Sequence, residues 1–376
     1  ATVSVSSSVG NGAVLSGTTS VSASASVATF AGLKFTGLVG DYTLTFASTG
    51  LTSATQTVTL LHTTADHLSL NTAPGASATN AVDFGTQPIV AIRDIDGNLV
   101  DNATNSVVAS VVETGATLSG TKTVAASAGL STFSNLRLTG TVGSYTIRFA
   151  STGLTGIDST VNLAYGAADH LSITTQAAGI ANRIAFSTQP SVVVLDVSGN
   201  TVFNSTATIA VSSSVGNGAV LGGTKSIAAS SGVVSFTNLK FTGLVGDYTL
   251  TFASTGITSA TQTVTLLPGT ATQVAETTNA AGFTNRVAFT TQPVAKIEDA
   301  DGNVVVDSNA TITVTASAGN GAVLGGTNAI AATSGVVTYS GLKMTGLVGD
   351  YTLTFASTGL TSATQTFTLI HGAAAK

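Results

Sequence analysis

Along most of this chain apolar and polar residues alternate with a period of two. In Tyr42-Thr43-Leu44-Thr45-Phe46 the aromatic and leucine side chains fall on one side and the threonines on the other. Thr55-Gln56-Thr57-Val58-Thr59-Leu60 repeats the scheme with Val58 and Leu60 inward. Val90 and Ile92 alternate with Ala91 and Arg93, and Ala295 and Ile297 with Lys296 and Glu298, so each run reads as one core face and one face in water. This is the strand signature, and no segment sustains the 3.6-residue period of a helix. Between the runs stand Gly10-Asn11-Gly12, Asp96-Gly97-Asn98, Gly216-Asn217-Gly218 and Gly319-Asn320-Gly321. Glycine and asparagine tolerate positive φ, so these clusters read as turns.

The pattern recurs. Gly-Leu-Val-Gly-Asp-Tyr-Thr-Leu-Thr-Phe-Ala-Ser-Thr-Gly is intact at 37–50, 243–256 and 346–359 and diverged at 140–153. Its tyrosines, Tyr42, Tyr145, Tyr248 and Tyr351, are each 103 residues apart. A period of that length is one domain and not one solenoid turn. About seven short strands per period predict an all-β chain of tandem immunoglobulin-like antiparallel β-sandwiches, beads on a semi-rigid rod. A second marker, Thr-Gln-Pro followed by an apolar strand and Asp-x-(Asp/Ser)-Gly-Asn, occurs only at Thr86, Thr188 and Thr291. Residue 1 aligns with Ala207 and Ala310, so the expected domains are an incomplete repeat at 1–65 and whole repeats at 66–168, 169–270 and 271–376. A sandwich without its first strands has an open edge and an uncovered core, so the chain is expected to be a cut piece of a longer protein or to be completed by a neighbour.

Composition narrows the function. There is no Cys and no Trp, one Met and four His, and charged residues make up 8% where about 25% is usual. A hydrophobic fraction of 43% is enough for real cores, so the polar bias does not imply disorder. The 12 Lys and Arg are scattered and the net charge is −5, which disfavours nucleic acid as a partner. No apolar run is long enough to span a bilayer. No Ser-His-Asp or carboxylate-pair arrangement recurs between copies and no phosphate loop is present, so no enzyme is expected.

In order, Val-x-Ile-x-Asp-x-x-Gly-Asn-x-Val, Gly-Ala-Val-Leu-x-Gly-Thr, Gly-Val-x-x-Phe/Tyr-x-x-Leu and Gly-x-Tyr-Thr-Leu-x-Phe resemble the bacterial immunoglobulin-like repeats of invasin- and intimin-type adhesins and related giant cell-surface proteins. The resemblance covers nearly the whole chain and its motifs are structural. It implies an extracellular array at a cell surface that projects something outward, with any host or surface ligand bound by regions outside this chain.

Four sets of residues carry candidate chemistry. Asp94, Asp96 and Asn98, with Asp299, Asp301 and Asn303, place oxygens at alternate positions around a glycine, as in the first half of a calcium loop. Calcium is the one cofactor offered; the closing Glu of such a loop is absent, and an Asx-stabilised turn explains the same residues, including the third copy at Asp196, Ser198 and Asn200. Sequons begin at Asn102, Asn204 and Asn309, surface acceptors for a host that glycosylates. Lys34, Lys240 and Lys343 accompany Asp41, Asp247 and Asp350, read as exposed ion pairs in preference to a covalent cross-link. His67 and His170 in Ala-Asp-His-Leu read as contacts at the start of a strand. Two functions follow: a stalk of a surface adhesin, or a self-assembling subunit of an extracellular filament, sheath or surface lattice that exchanges strands between copies. In both, the partners are adjoining repeats or other copies of the chain.

Overall fold

Threonine and valine alternate along the longest runs, and β-branched side chains suit a pleated, half-buried surface. The computed structural model describes residues 1–8, 12–317 and 321–373, and these contain strands and turns with no α-helix. None of the described residues forms a helix long and apolar enough to cross a membrane. The Gly10 and Gly319 turns lie partly outside the described residues, whereas in their counterpart Asn217 Nδ2 donates to the Val245 carbonyl at 3.1 Å. Contacts divide the chain into two compact units, 1–167 with 196–200, and 168–195 with 201–376.

In the first unit, strand Gly143–Ser151 lies between Ser106–Val111 and Leu154–Ala164, antiparallel to both. Leu154–Ala164 also meets His67–Thr72 in parallel, through Thr155 and His67. His67–Thr72 pairs antiparallel with Ile89–Arg93, which pairs with Leu130–Thr132. Leu68, Val90 and Ile92 from one end of this path share a core with Val107, Ile147, Phe149 and Val161 from the other, which makes it an immunoglobulin-like sandwich. Each large apolar side chain buried there contributes on the order of 1.5–3 kcal/mol. In the second unit the same strand order recurs from Ser226–Ala228 through Gly246–Ser254 and Ile257–Leu266 to Ser191–Leu195 and Val233–Ser235. A further core there joins Val274, Ile297 and Tyr339 to Ile312, Leu353 and Phe355.

Residues 66–168 contain ten strands where seven were expected, because several ladders are only three or four residues long. The reading of Ile89–Arg93 as half wet is also corrected. Val90, Ala91 and Ile92 are all fully buried, because the short Ala91 side chain lies between Ser69 and Leu130 on the adjacent strands. In the matching strand Ala295 and Ile297 are buried and Lys296 is half-buried, its Nζ 2.7 Å from Glu298.

The first 60 residues form a sheet of Ser20–Ser22, Thr2–Ser7, Gly40–Ala47 and Ala54–Leu60, with Val14–Ser16 paired to Lys34–Thr36. Among the described residues Ala54–Leu60 pairs only with Gly40–Ala47.

Candidate functional site

The residues that draw most attention in the sequence, the acidic turns and the Gly-Leu-Val-Gly-Asp-Tyr string, meet in space. Each acidic turn is first a local structure. Asp94 Oδ1 accepts from the N–H groups of Asp96 (3.1 Å) and Asn98 (2.8 Å), and the Asn98 carbonyl accepts from Asp94 N–H at 3.0 Å. Gly97 takes φ 85, which an L side chain adopts only with strain. The Asp196 and Asp299 turns close the same way, at 2.9–3.0 Å.

The receiver is the string ahead of each tyrosine. Tyr42 Oη donates to the Leu38 carbonyl at 2.7 Å, and Tyr145 and Tyr248 bond Thr141 and Leu244 at the same distance. This tyrosine corner fixes the loop and leaves the main chain on either side of the bonded carbonyl facing outward. At Gly37, with φ 132, a Cβ would lie 2.8 Å from Ala13 Cα, so the loop packs too closely for any other residue.

Turn and receiver are joined by one asparagine amide. Asn98 Oδ1 accepts from Val39 N–H at 2.9 Å while its Nδ2 donates to the Gly37 carbonyl at 3.1 Å. Asn200 repeats this on Val142 and Gly140, and Asn303 on Val245 and Gly243, all at 2.9 Å. A side-chain amide with one donor and one acceptor thus replaces a strand residue in a two-bond ladder. The aspartate adds a second grip. Asp94 Oδ2 accepts from Thr63 N–H at 2.9 Å; Asp196 Oδ2 accepts from Gly166 N–H and Asn80 Nδ2, and Asp299 Oδ2 from Gly269 N–H and Asn182 Nδ2, each at 2.8 Å. In the second unit Arg183 adds a bidentate pair to Asp301 at 2.7 Å. The three aspartates are at most 1% exposed.

Burial alone would push these carboxyls up, but the donors outweigh it. Asp94, with Asn98 leading its donors, and Asp196, with Gly166 N–H leading, are both held at about 2. Asp299 is lowered in the same way, against burial, by Gly269 N–H foremost. Arg183 first, then Asn182, brings Asp301 to about 2.

Of the calcium candidates Asp94, Asp96, Asn98, Asp299, Asp301 and Asn303, the oxygens of Asp94, Asn98, Asp299, Asp301 and Asn303 accept from N–H donors, and Asp96 contributes its own N–H to the turn, the arrangement of an Asx-stabilised turn. For such a turn, melting in millimolar calcium and in excess chelator is expected to coincide within about a degree; a rise of several degrees with calcium alone would support the cation site.

Other predicted residues lie elsewhere. Asn102, Asn204 and Asn309 are exposed. The lysine–aspartate pairs are not formed: Asp41, Asp247 and Asp350 accept at 2.6 Å from Thr59, Thr265 and Thr368 on the adjacent strand, which brings those hydroxyls closer than any lysine. His67 and His170 lie 3.0 Å from the neighbouring Asp66 and Asp169. Sequence reasoning missed Asn80 and Asn182, whose Oδ1 also accepts from Gly140 and Gly243 N–H. Their counterpart Asn285 donates Nδ2 to the Gly346 carbonyl at 2.8 Å and accepts from Gly346 N–H at 3.1 Å. The signal was present in the sequence, since the three asparagines recur at the same place in three repeats.

No protein-family model matches the chain, and no curated protein does. Among solved structures it is similar to the Escherichia coli adhesin FdeC, at 16% identity over 84% of this chain and 100% of that one, with a TM-score of 0.34. Yersinia pseudotuberculosis InvD matches at 17% over 82% and 98%, TM-score 0.33. Domains 1–6 of surface layer protein SbsC match at 15% over 99% of this chain and 50% of that one, TM-score 0.29. At such identities a likeness concerns fold, and the roles of those proteins stay with them.

Proposed function

We propose that this chain is a non-enzymatic structural region of an extracellular surface protein, a semi-rigid stalk or spacer built of beads at 1–65, 66–168, 169–270 and 271–376. The observation that carries this reading is the clamp. In three buried aspartate–asparagine turns the asparagine amide bonds main chain about 60 residues away in sequence, which ties two distant loops together and limits hinge motion within each unit. Such a device transmits load and holds spacing. A surface poor in charge and the exposed sequons at Asn102, Asn204 and Asn309 fit an exterior setting.

Pulling the chain from its ends tests the reading. Each whole bead, about 103 residues long, should unravel in one step that adds roughly 30 nm of contour. Featureless extension at low force would sink it. A second reading, a subunit of an extracellular filament, sheath or surface lattice, is favoured by the low charge, which offers little repulsion against association. Electron microscopy separates the two, since ordered filaments of constant diameter exclude a passive stalk and dispersed particles exclude the lattice.

A further inference from the structure

The Asp196 and Asp299 turns seat in the same way, so the groups they share cannot tell one receiver from another. Asp196 with Asn200 bonds Gly140, Val142 and Gly166 in the first unit, and Asp299 with Asn303 bonds Gly243, Val245 and Gly269 in the second. The string that carries the receiver is intact at 37–50, 243–256 and 346–359, so the same socket sequence recurs along the chain. Near-identical repeats in tandem are prone to pairing with the wrong neighbour. Specificity then needs a contact that differs from joint to joint.

That difference stands beside the shared asparagine. Asn182 is followed by Arg183, and the turn it meets carries Asp301; Asn80 is followed by Ala81, and its turn carries Ser198. Both members change together. Arg183 Nε and Nη2 donate to Asp301 Oδ2 and Oδ1, each at 2.7 Å, a bidentate pair of matched planar groups. Ser198 Oγ instead donates to Asn80 Oδ1 at 3.3 Å, and Ala81 brings no charge to that joint.

Changing one member alone is unfavourable mainly in one direction. Asn182 Nδ2 donates to Asp299 Oδ2 at 2.8 Å and to Asp301 Oδ2 at 2.6 Å, so two carboxylates converge on one amide nitrogen. Asp299 is 1% exposed and the Asp301 side chain 18%, and Arg183 is the cation that offsets their repulsion. An alanine opposite Asp301 would leave two like charges beside one amide. An arginine opposite a serine keeps its charge in water, since the Arg183 side chain is 53% exposed. The joint therefore discriminates by repulsion as well as by attraction.

We propose that Arg183–Asp301 and Ala81–Ser198 are address pairs that specify which repeat follows which. A receiver flanked by Asn-Arg accepts the acidic turn Asp-x-Asp-Gly-Asn of the following repeat; a receiver flanked by Asn-Ala accepts Asp-x-Ser-Gly-Asn and rejects the acidic turn. This pairing is independent of whether the chain serves as a stalk or as a lattice subunit.

Native-state hydrogen exchange of the full chain tests it. The Asp299 joint is read at the Val245, Gly269 and Asn303 amides and the Asp196 joint at the Val142, Gly166 and Asn200 amides, each of which donates into its turn. Arg183→Ala should speed exchange at the first set about fivefold and Asp301→Ser less than about twofold, while R183A/D301S should return to within about twofold of the original chain, a coupling ordinary for residues in contact. The converse is built at the other joint. Ser198→Asp alone should speed exchange at the second set about fivefold, and A81R/S198D should restore it. Additive effects of the two changes at either joint would overturn the proposal, as would an S198D chain that exchanges no faster than the original.

Discussion

Asp299→Ala should destabilise the region around residues 271–373 by about 3–5 kcal/mol. The carboxylate is 1% exposed and accepts from Asp301 N–H, Asn303 N–H, Asn303 Nδ2, Asn182 Nδ2 and Gly269 N–H. Alanine leaves the N–H groups of Asp301, Asn303 and Gly269 without this acceptor, while Asn303 Nδ2 keeps the Gly243 carbonyl and Asn182 Nδ2 keeps Asp301; each orphan costs about 1–3 kcal/mol where water cannot replace the lost oxygen. For a domain of about 100 residues that is a fall in Tm on the order of 15–30 °C. Asp301→Ala is the control. Asp301 faces Arg183, whose side chain is 53% exposed, so losing that pair should cost no more than about 1 kcal/mol. The third repeat already carries Ser198 at this place. Scanning calorimetry of both variants decides the matter, and a shift under about 1 kcal/mol for Asp299→Ala would remove the clamp as a structural element.

Acid should release the clamps between about pH 4 and pH 2. Asp94 and Asp196 fall from 3.8 when free to about 2 in the folded chain, so the folded state binds fewer protons than the unfolded state. Their contribution is complete above the unfolded value and is lost as the pH falls through the folded one. Each carries about 2.5 kcal/mol of such linkage. Glu276 titrates the opposite way, because burial raises its carboxyl above 4.5 and protonation favours the folded form. Stability should therefore fall steeply below about pH 4, while Glu276 works against this trend, its contribution being lost as the pH rises through its raised value. Asp196→Asn should be less stable at neutral pH yet show a shallower acid limb in denaturant titrations at stepped pH. An unchanged slope would mean that other groups govern the acid transition.

Much of this was legible beforehand. Period-two alternation at Tyr42–Phe46 placed Tyr42 and Leu44 in the core, because a strand sends successive side chains to opposite faces whatever surrounds it. The acidic turn was also legible as a turn, since Asp94 bonds N–H groups two and four residues on. The far partner was not legible. Val39 lies 59 residues from Asn98, and no local pattern names a main-chain N–H as its target. The same oxygens that suggested calcium serve donors that carry no side-chain signature. The expected Lys34–Asp41 pair failed for a related reason, in that Thr59 across the ladder stands closer to the carboxylate than sequence spacing reveals.

The sequence by itself determined the strand content, the 103-residue repeat, the turns and the shortage of catalytic groups, because these follow from local periodicity, backbone preference and composition. Only the tertiary structure decided what the two most repeated motifs do. Gly-Leu-Val-Gly-Asp-Tyr is a receiver and Asp-x-(Asp/Ser)-Gly-Asn is its plug, a pairing set by which main-chain groups fold closure leaves unbonded.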